Sequence, residues 1–239
     1  MNYFSFDTNL IIALVNDKDR LHKSSMNIIQ NESYDCVLCK SAIKESKKIA
    51  REKIARAVAN SLEIIVDIQR IKNKDKIEKE LKKSFKKLMR KDPSLTNFYM
   101  FLLEKIIEYV TKFGIRFLPR YLSNLSDNMV RTFEIELGKI IEYDIIGIKY
   151  SNKNELSLLS DVKECIAPVR FKDAMDFVIF CELVFNLSKK NLIDFYTDDK
   201  EFSKKGRKAF SLLEKNLAYD SSWLTIIHTD DFLESLSKR

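Results

Sequence analysis

Chain breakers are scarce: the 239 residues include only four glycines and three prolines. That shortage predicts long helices. No apolar run is long enough to span a membrane, and Met1-Asn2-Tyr3-Phe4-Ser5-Phe6-Asp7 lacks the make-up of a signal peptide. These absences place the chain in the cytosol. Cysteine is sparse too, with Cys36, Cys39, Cys165 and Cys181. Cys36-Val37-Leu38-Cys39 has metal-ligand spacing, but no second CxxC or Cys/His pair accompanies it. Cys181 falls in an apolar helical run. The expectation is reduced thiols packed as small hydrophobes, rather than zinc ligands or a disulfide. No internal repeat is visible between Ser46 and Glu164. What remains is 45% hydrophobic and 32% charged, a globular balance. The length suits one large domain, or one domain with an insertion.

The net charge of +7 is unevenly placed. Arg70 to Lys91 carries eleven basic residues against three acids, Asp75, Glu78 and Glu80. The rest of the chain is therefore close to neutral. A local basic stripe is the footprint expected for a phosphate-bearing partner. Within it, Lys79, Lys82, Lys83, Lys86, Lys87 and Arg90 share a helix whose apolar side is Ile77, Leu81, Phe85 and Leu88. Docked by that side, the helix presents its cations to solvent, as nucleic-acid ligands or simply as a solvated face.

Along the chain, aromatic Tyr3, Phe4 and Phe6 favour a strand, and Thr8 and Asn9 break it into a helix from Leu10 to Val15. A second helix covers Leu21 to Ile29. Cys36 to Lys40 reads as a strand, with Ser41 as N-cap of the helix after it. This β-α-α-β-α order suits a parallel sheet with helices on its faces. From Ser46 the pattern turns helical, with Ala55, Val58, Ala59, Leu62, Ile65 and Val66 at helical spacing. Asp92-Pro93-Ser94 breaks that run. Helices over Leu95 to Phe113 and Leu122 to Tyr143 follow, then a short strand over Ile145 to Tyr150, a loop over Asn152 to Asn154 and a helix over Glu155 to Glu164. The α/β pattern returns at Pro168. It gives a helix from Phe171, a strand over Leu192 to Tyr196, a helix from Phe202, a strand over Trp223 to His228 and a terminal helix. The reading is residues 1–45 and 168–239 as one α/β domain, interrupted by a helical insertion at 46–167.

Acids gather at the expected strand ends. Asp7 follows the first strand, and Asp198 and Asp199 follow a later one. Asp173 and Asp176 lie three apart near a helix N-terminus, and Glu45 lies in the helix after the second strand. In a parallel sheet all of them fall at one edge, above the strand carboxyl ends. Each also has a plain reading as a cap, turn or macrodipole residue. Together, the carboxylates repel unless a hard cation lies between them. Oxygen ligands without Cys or His suit Mg²⁺ or Mn²⁺, which activate water for an in-line phosphoryl displacement.

The order of motifs resembles the PIN-domain ribonucleases. The resemblance rests on Phe6-Asp7-Thr8-Asn9, Ser41-Ala42-Ile43-Lys44-Glu45, Asp173-Ala174-Met175-Asp176 and Thr197-Asp198-Asp199-Lys200-Glu201-Phe202. It ends with Ile226-Ile227-His228-Thr229-Asp230-Asp231-Phe232-Leu233, and spans roughly residues 1–49 and 168–236. It implies a three-layer α/β/α domain with a central parallel sheet. It makes Asp7 the first acid, Glu45 the second, Asp173 or Asp176 the third, and Asp199, with Asp198 as neighbour, the fourth. By the same resemblance Asn9 supports the first acid, and the Thr197 hydroxyl lies close to the metal. The helical insertion is the main departure, since compact toxin-type members lack anything so large there.

The expected function is a Mg²⁺- or Mn²⁺-dependent endoribonuclease whose basic insertion holds RNA. DNA offers the same phosphate contacts. The alternative is a catalytically inactive RNA-binding or assembly protein on the same scaffold. The insertion is also a candidate surface for a second copy or a protein partner.

Overall fold

The computed structural model describes residues 2–69, 71, 73–148, 153–187 and 192–237. Met1, Arg70, Tyr150 and Asn152, named above, lie outside the described residues. The chain divides into two compact units. One joins Met1–Ser46 to Glu136–Arg239, and the other is Lys47–Ile135.

In chain order, β1 (Asn2–Phe6) leads through α1 (Thr8–Val15) and α2 (His22–Asn31) to β2 (Asp35–Cys39). Helix α3 (Lys40–Ile68) begins in the first unit and continues into the second. There follow α4 (Lys74–Lys91), a 3-10 turn (Pro93–Leu95), α5 (Thr96–Phe113) and α6 (Leu118–Ile140), whose end returns to the first unit. That unit is completed by β3 (Tyr143–Ile146), α7 (Lys153–Ile166), α8 (Ala174–Leu187), β4 (Leu192–Thr197), α9 (Lys200–Leu217), β5 (Leu224–His228) and α10 (Thr229–Ser237).

The five strands form one all-parallel sheet in the order β3-β2-β1-β4-β5. Parallel sheets covered on both faces read as apolar runs rather than alternations. Phe4 to Phe6, Cys36 to Cys39 and Phe195 to Thr197 are each buried throughout. Helix α8 packs on β2, β3 and β4, and α9 on β4 and β5. A Cβ on Gly206 would stand 2.5 Å from Ile226 Cδ1, so any larger residue there would push that methyl aside where α9 packs on β5. From β1 the chain turns to β2, and from β4 it turns the opposite way to β5. Right-handed connections running opposite ways cover opposite faces of a sheet, consistent with an α/β/α layering.

The second unit has its own core. Ile77, Leu81 and Phe85 of α4 are buried with Tyr99, Leu102, Ile106 and Val110 of α5. Phe85 meets Tyr99 edge-on at 6.2 Å between ring centroids. On α3 the buried face is Ile54, Ala57, Val58, Ser61, Ile64, Ile65 and Ile68. Ala55, Ala59 and Val66, expected on that face, are exposed. Ser61 lies on the buried face, and its hydroxyl is satisfied there by donating to the Ala57 carbonyl at 2.7 Å. Residues 136–167, read from the sequence as part of the helical stretch, fall in the first unit. There β3 extends the sheet beside β2, and α7 packs on α8 and α9.

Candidate acidic site

Parallel pairing sets the geometry. Phe6 is in register with Tyr196, and the Asp7 amide donates to the Tyr196 carbonyl at 2.9 Å. The ends of β1 and β4 therefore stand side by side. They flank the point where connections diverge to the two sides of the sheet, the crevice in which open α/β sheets bind ligands.

Asp7 is buried, 5% exposed, and caps α1. Its Oδ1 accepts from the Thr8 amide at 2.7 Å, and its Oδ2 from the Thr197 hydroxyl at 2.8 Å. That hydroxyl also accepts from the Asp199 amide at 3.0 Å. One threonine thus ties the first acid to the loop carrying the last. Burial pushes the Asp7 carboxyl up from 3.8 to about 7 against both hydrogen bonds, and the charges of Asp176 and Glu45 push it further the same way.

Glu45 is brought in by α3. Its Oε2 accepts from the Thr8 hydroxyl at 2.6 Å, and the Ser46 hydroxyl on the same turn donates to the Thr8 carbonyl at 3.2 Å. Asp176, in the first turn of α8, is half-buried. Burial lifts its carboxyl to about 6, with Asp199, Asp173 and Glu45 adding to the rise. The start of α8 is held by Phe171, whose ring lies 5.4 Å from Phe180 and 5.9 Å from Phe202 of α9. Phe202 in turn lies 5.2 Å from Phe195 of β4.

The adjacent acids separate in role. Asp173 is exposed and accepts from the Met175 amide at 2.8 Å, so it caps α8, whereas Asp176 feels the field of Asp199 and Glu45. Asp199 caps α9 through Oδ1, at 2.7 and 3.0 Å from the Glu201 and Phe202 amides. Asp198 turns away. Its carboxylate accepts from Arg20 at 2.6 Å and from the Thr229 hydroxyl at 3.0 Å. The Asp230 amide donates to His228 Nδ1 at 3.1 Å, which leaves the ring proton on Nε2 to donate to the Asp198 carbonyl, also at 3.1 Å. Asn9 is exposed, and the bonds to the Asp7 side chain come from Thr8 and Thr197 instead.

Thr8, Arg20 and Glu182 escaped the sequence reading. Glu182 is buried on α8 and accepts from the Ser41 amide at 3.0 Å and hydroxyl at 2.9 Å. Ser41, expected as an N-cap, instead sits in the first turn of α3 and is fixed by this distant carboxylate. Burial raises the Glu182 carboxyl, and the two Ser41 bonds oppose that rise. Its signal was a lone acid within the apolar run Phe177 to Phe185, where an acid is buried only when paired.

The CxxC cysteines carry no metal signature. All four cysteines are free, and burial pushes the thiols of Cys36, Cys39 and Cys181 up, that of Cys181 to about 12. Among the described residues, no three His, Cys, Asp or Glu side chains stand close enough, as placed, to hold a metal ion. The donor chemistry nevertheless fits a hard divalent cation. Asp7, Asp176, Asp199 and Glu45 offer only oxygen, and the carboxyls of Asp7 and Asp176, raised by burial and by acidic neighbours, are raised in the sense a cation would reverse.

On α4 of the second unit, Lys79, Lys82, Lys83, Lys86, Lys87 and Arg90 are all exposed. Lys82 pairs with Glu78 at 2.6 Å and Lys83 with Glu80 at 3.6 Å. Among the described residues Lys79, Lys86, Lys87 and Arg90 have no acid within ion-pair distance, so the ridge keeps a net positive charge. No helix among the described residues is long and apolar enough to cross a membrane. No family model, curated protein or solved structure matches the chain.

Proposed function

We propose that the chain is a PIN-like, divalent-cation-dependent endoribonuclease that hydrolyses RNA phosphodiester bonds. The observation that carries this reading is the electrostatic coupling of acids from separate segments at one edge of the sheet, Asp7 with Asp176 and Glu45, and Asp176 with Asp199. Asp7 ends β1, Glu45 rides on α3, Asp176 opens α8 and Asp199 follows β4. Carboxylates placed together at a sheet's ligand-binding edge do not serve stability, because acidic neighbours add to the rise of both Asp7 and Asp176.

In this reading Asp7, Asp176 and Asp199 would hold Mg²⁺ or Mn²⁺, with Glu45 beside them. When bound, such a cation supplies Lewis acidity and lowers the pKa of a coordinated water. The chain's own groups orient the acids. Thr197 fixes the Asp7 carboxylate and the Asp199 loop together, and Thr8 holds Glu45. Asp198 is committed to Arg20 and Thr229, so it fixes the loop rather than the ion. The exposed cations of α4 supply the phosphate contacts that RNA binding requires.

A non-catalytic RNA-binding protein on the same scaffold is the second reading, favoured by the spacing of the acids, which are not drawn into a closed shell. One assay separates the two. Single-stranded and structured RNAs are incubated with the protein in Mn²⁺ or in EDTA, alongside Asp7→Asn checked for its fold by circular dichroism. Cleavage by the wild type in Mn²⁺ only, and none by the variant, supports the nuclease. RNA that is bound but left intact in Mn²⁺ supports the second reading.

A further inference from the structure

The turn between α5 and α6 carries an aromatic cluster that the fold of the helical unit does not require. Phe113 is 68% exposed and Phe117 57% exposed. They are braced rather than loose. Tyr109 lies 5.1 Å from Phe113 and stacks on Tyr121 at 4.4 Å, and both tyrosines pack against the unit's core. Gly114 ends α5 with a φ of 75°, a left-handed conformation that glycine adopts without strain and that reverses the chain between the two rings. The Arg116 guanidinium lies 5.3 Å from the Phe117 ring centroid.

The charge of this tip is of one sign. From Tyr109 to Ser126 there are three cations, Lys112, Arg116 and Arg120, and no acid. Lys112 is engaged by Glu108 at 2.9 Å. Among the described residues Arg116 and Arg120 have no carboxylate within ion-pair distance, and both are exposed. Exposed aromatic rings leave apolar surface in water and mark a contact site when they cluster. Rings interleaved with unpaired arginines match the two surfaces of a single-stranded nucleic acid, which offers unpaired base faces for stacking and a phosphate backbone for the cations. A duplex offers only the second, because its base faces are hidden within the stack.

We infer that Phe113 and Phe117 form a stacking platform for unpaired bases, with Arg116 and Arg120 on the adjoining phosphates, a contact site on the helical unit that includes none of the acids. The inference rests on the proposed RNA reading and adds a second contact site for that RNA. The two cation sets differ in what they read: the ridge of α4 contacts phosphate alone, whereas the tip also needs a free base.

The test measures binding in EDTA, where no cleavage intervenes, to fluorescent single-stranded and duplex RNA of equal length. Three proteins are compared: wild type, Phe113→Leu with Phe117→Leu, and Phe113→Tyr with Phe117→Tyr. Stacking on an aromatic ring changes affinity by roughly 1–3 kcal/mol per base, so the leucine pair should lose at least about tenfold on the single strand. It should leave duplex binding and the salt slope unchanged, since no ionic contact is removed. The tyrosine pair, which keeps both ring faces, should bind as the wild type does. Unchanged single-strand affinity in the leucine pair overturns the inference, as does an equal loss on duplex. A wild-type dimer that the leucine pair converts to monomer at constant RNA affinity also overturns it, and assigns the tip to a second copy. A wild type that binds neither RNA sinks the RNA reading itself.

Discussion

Replacing Asp7 by Asn should stabilise the metal-free protein, and the gain should depend on pH. Asp7 is buried, and its carboxyl is raised from 3.8 to about 7, chiefly by loss of water. Between about pH 4 and pH 7 the folded chain therefore keeps a proton that the unfolded chain has released. Folding stability falls as pH rises through that window and is level above it. At about 1.36 kcal/mol per pH unit, ionising the buried group lowers stability by roughly 4 kcal/mol at pH 8. Asparagine keeps the shape and is neutral at every pH. Its carbonyl can accept from the Thr8 amide, and its NH₂ can donate to the Thr197 hydroxyl oxygen. In EDTA, Asp7→Asn should exceed the wild type by roughly 3–4 kcal/mol at pH 8 and by about zero at pH 4. Asp176 remains ionisable in both chains, and because its charge is one of the causes that raise Asp7, the difference includes that coupling. Trp223, the single tryptophan, stacks edge-on with Tyr219 in the first unit and reports its unfolding by fluorescence during urea titration. A variant less stable than the wild type at pH 8, or an offset equal at both pH values, would refute the reasoning.

Thr197→Val should destabilise the first unit by roughly 1–3 kcal/mol in urea titrations, because it leaves Asp7 Oδ2 and the Asp199 amide without their shared partner. Phe85→Ala should lower stability of the helical unit by roughly 3–5 kcal/mol, read as faster hydrogen exchange in α4 and α5. Changing Lys82, Lys83, Lys86 and Lys87 together to Ala should weaken RNA binding and flatten its salt dependence, the slope falling by roughly 0.7 for each single-strand phosphate that the variant no longer neutralises. An unchanged slope would mark that ridge of α4 as a solvated face.

The parts of the fold that depend on local pattern were legible. Strands β1, β2, β4 and β5 are apolar runs bounded by turn residues, and α4 alternates its apolar and basic sides with helical period. β3 was displaced, since Tyr143–Ile146 begins two residues before the expected strand and Glu142 and Tyr143 read as helix continuing from α6. Only pairing with Cys36 to Cys39 makes it a strand, and pairing is not a local property. The acids were legible as residue types at strand and helix ends. Which of each neighbouring pair faces the cluster was not, because Asp173 against Asp176 and Asp198 against Asp199 is decided by caps and by Arg20 and Thr229, residues remote in sequence or silent in pattern. Ser41 misled for the same reason: a serine before a helix reads as a cap, and its partner Glu182 lies 141 residues away.

Mn²⁺ titration of the wild type, Asp7→Asn and Asp199→Asn across pH 5.5 to 8 tests the central claim, that these acids make a cation site, most directly. Asp7 and Asp176 are raised to about 7 and about 6, so the cation must displace protons below those values. Calorimetry in buffers of different ionisation heat should show proton release near pH 6.5, with affinity tightening toward pH 8. Either variant should bind at least about tenfold more weakly, a loss of about 1.4 kcal/mol. A wild type that fails to bind Mn²⁺ at pH 8, or variants that bind it equally well, would contradict the account.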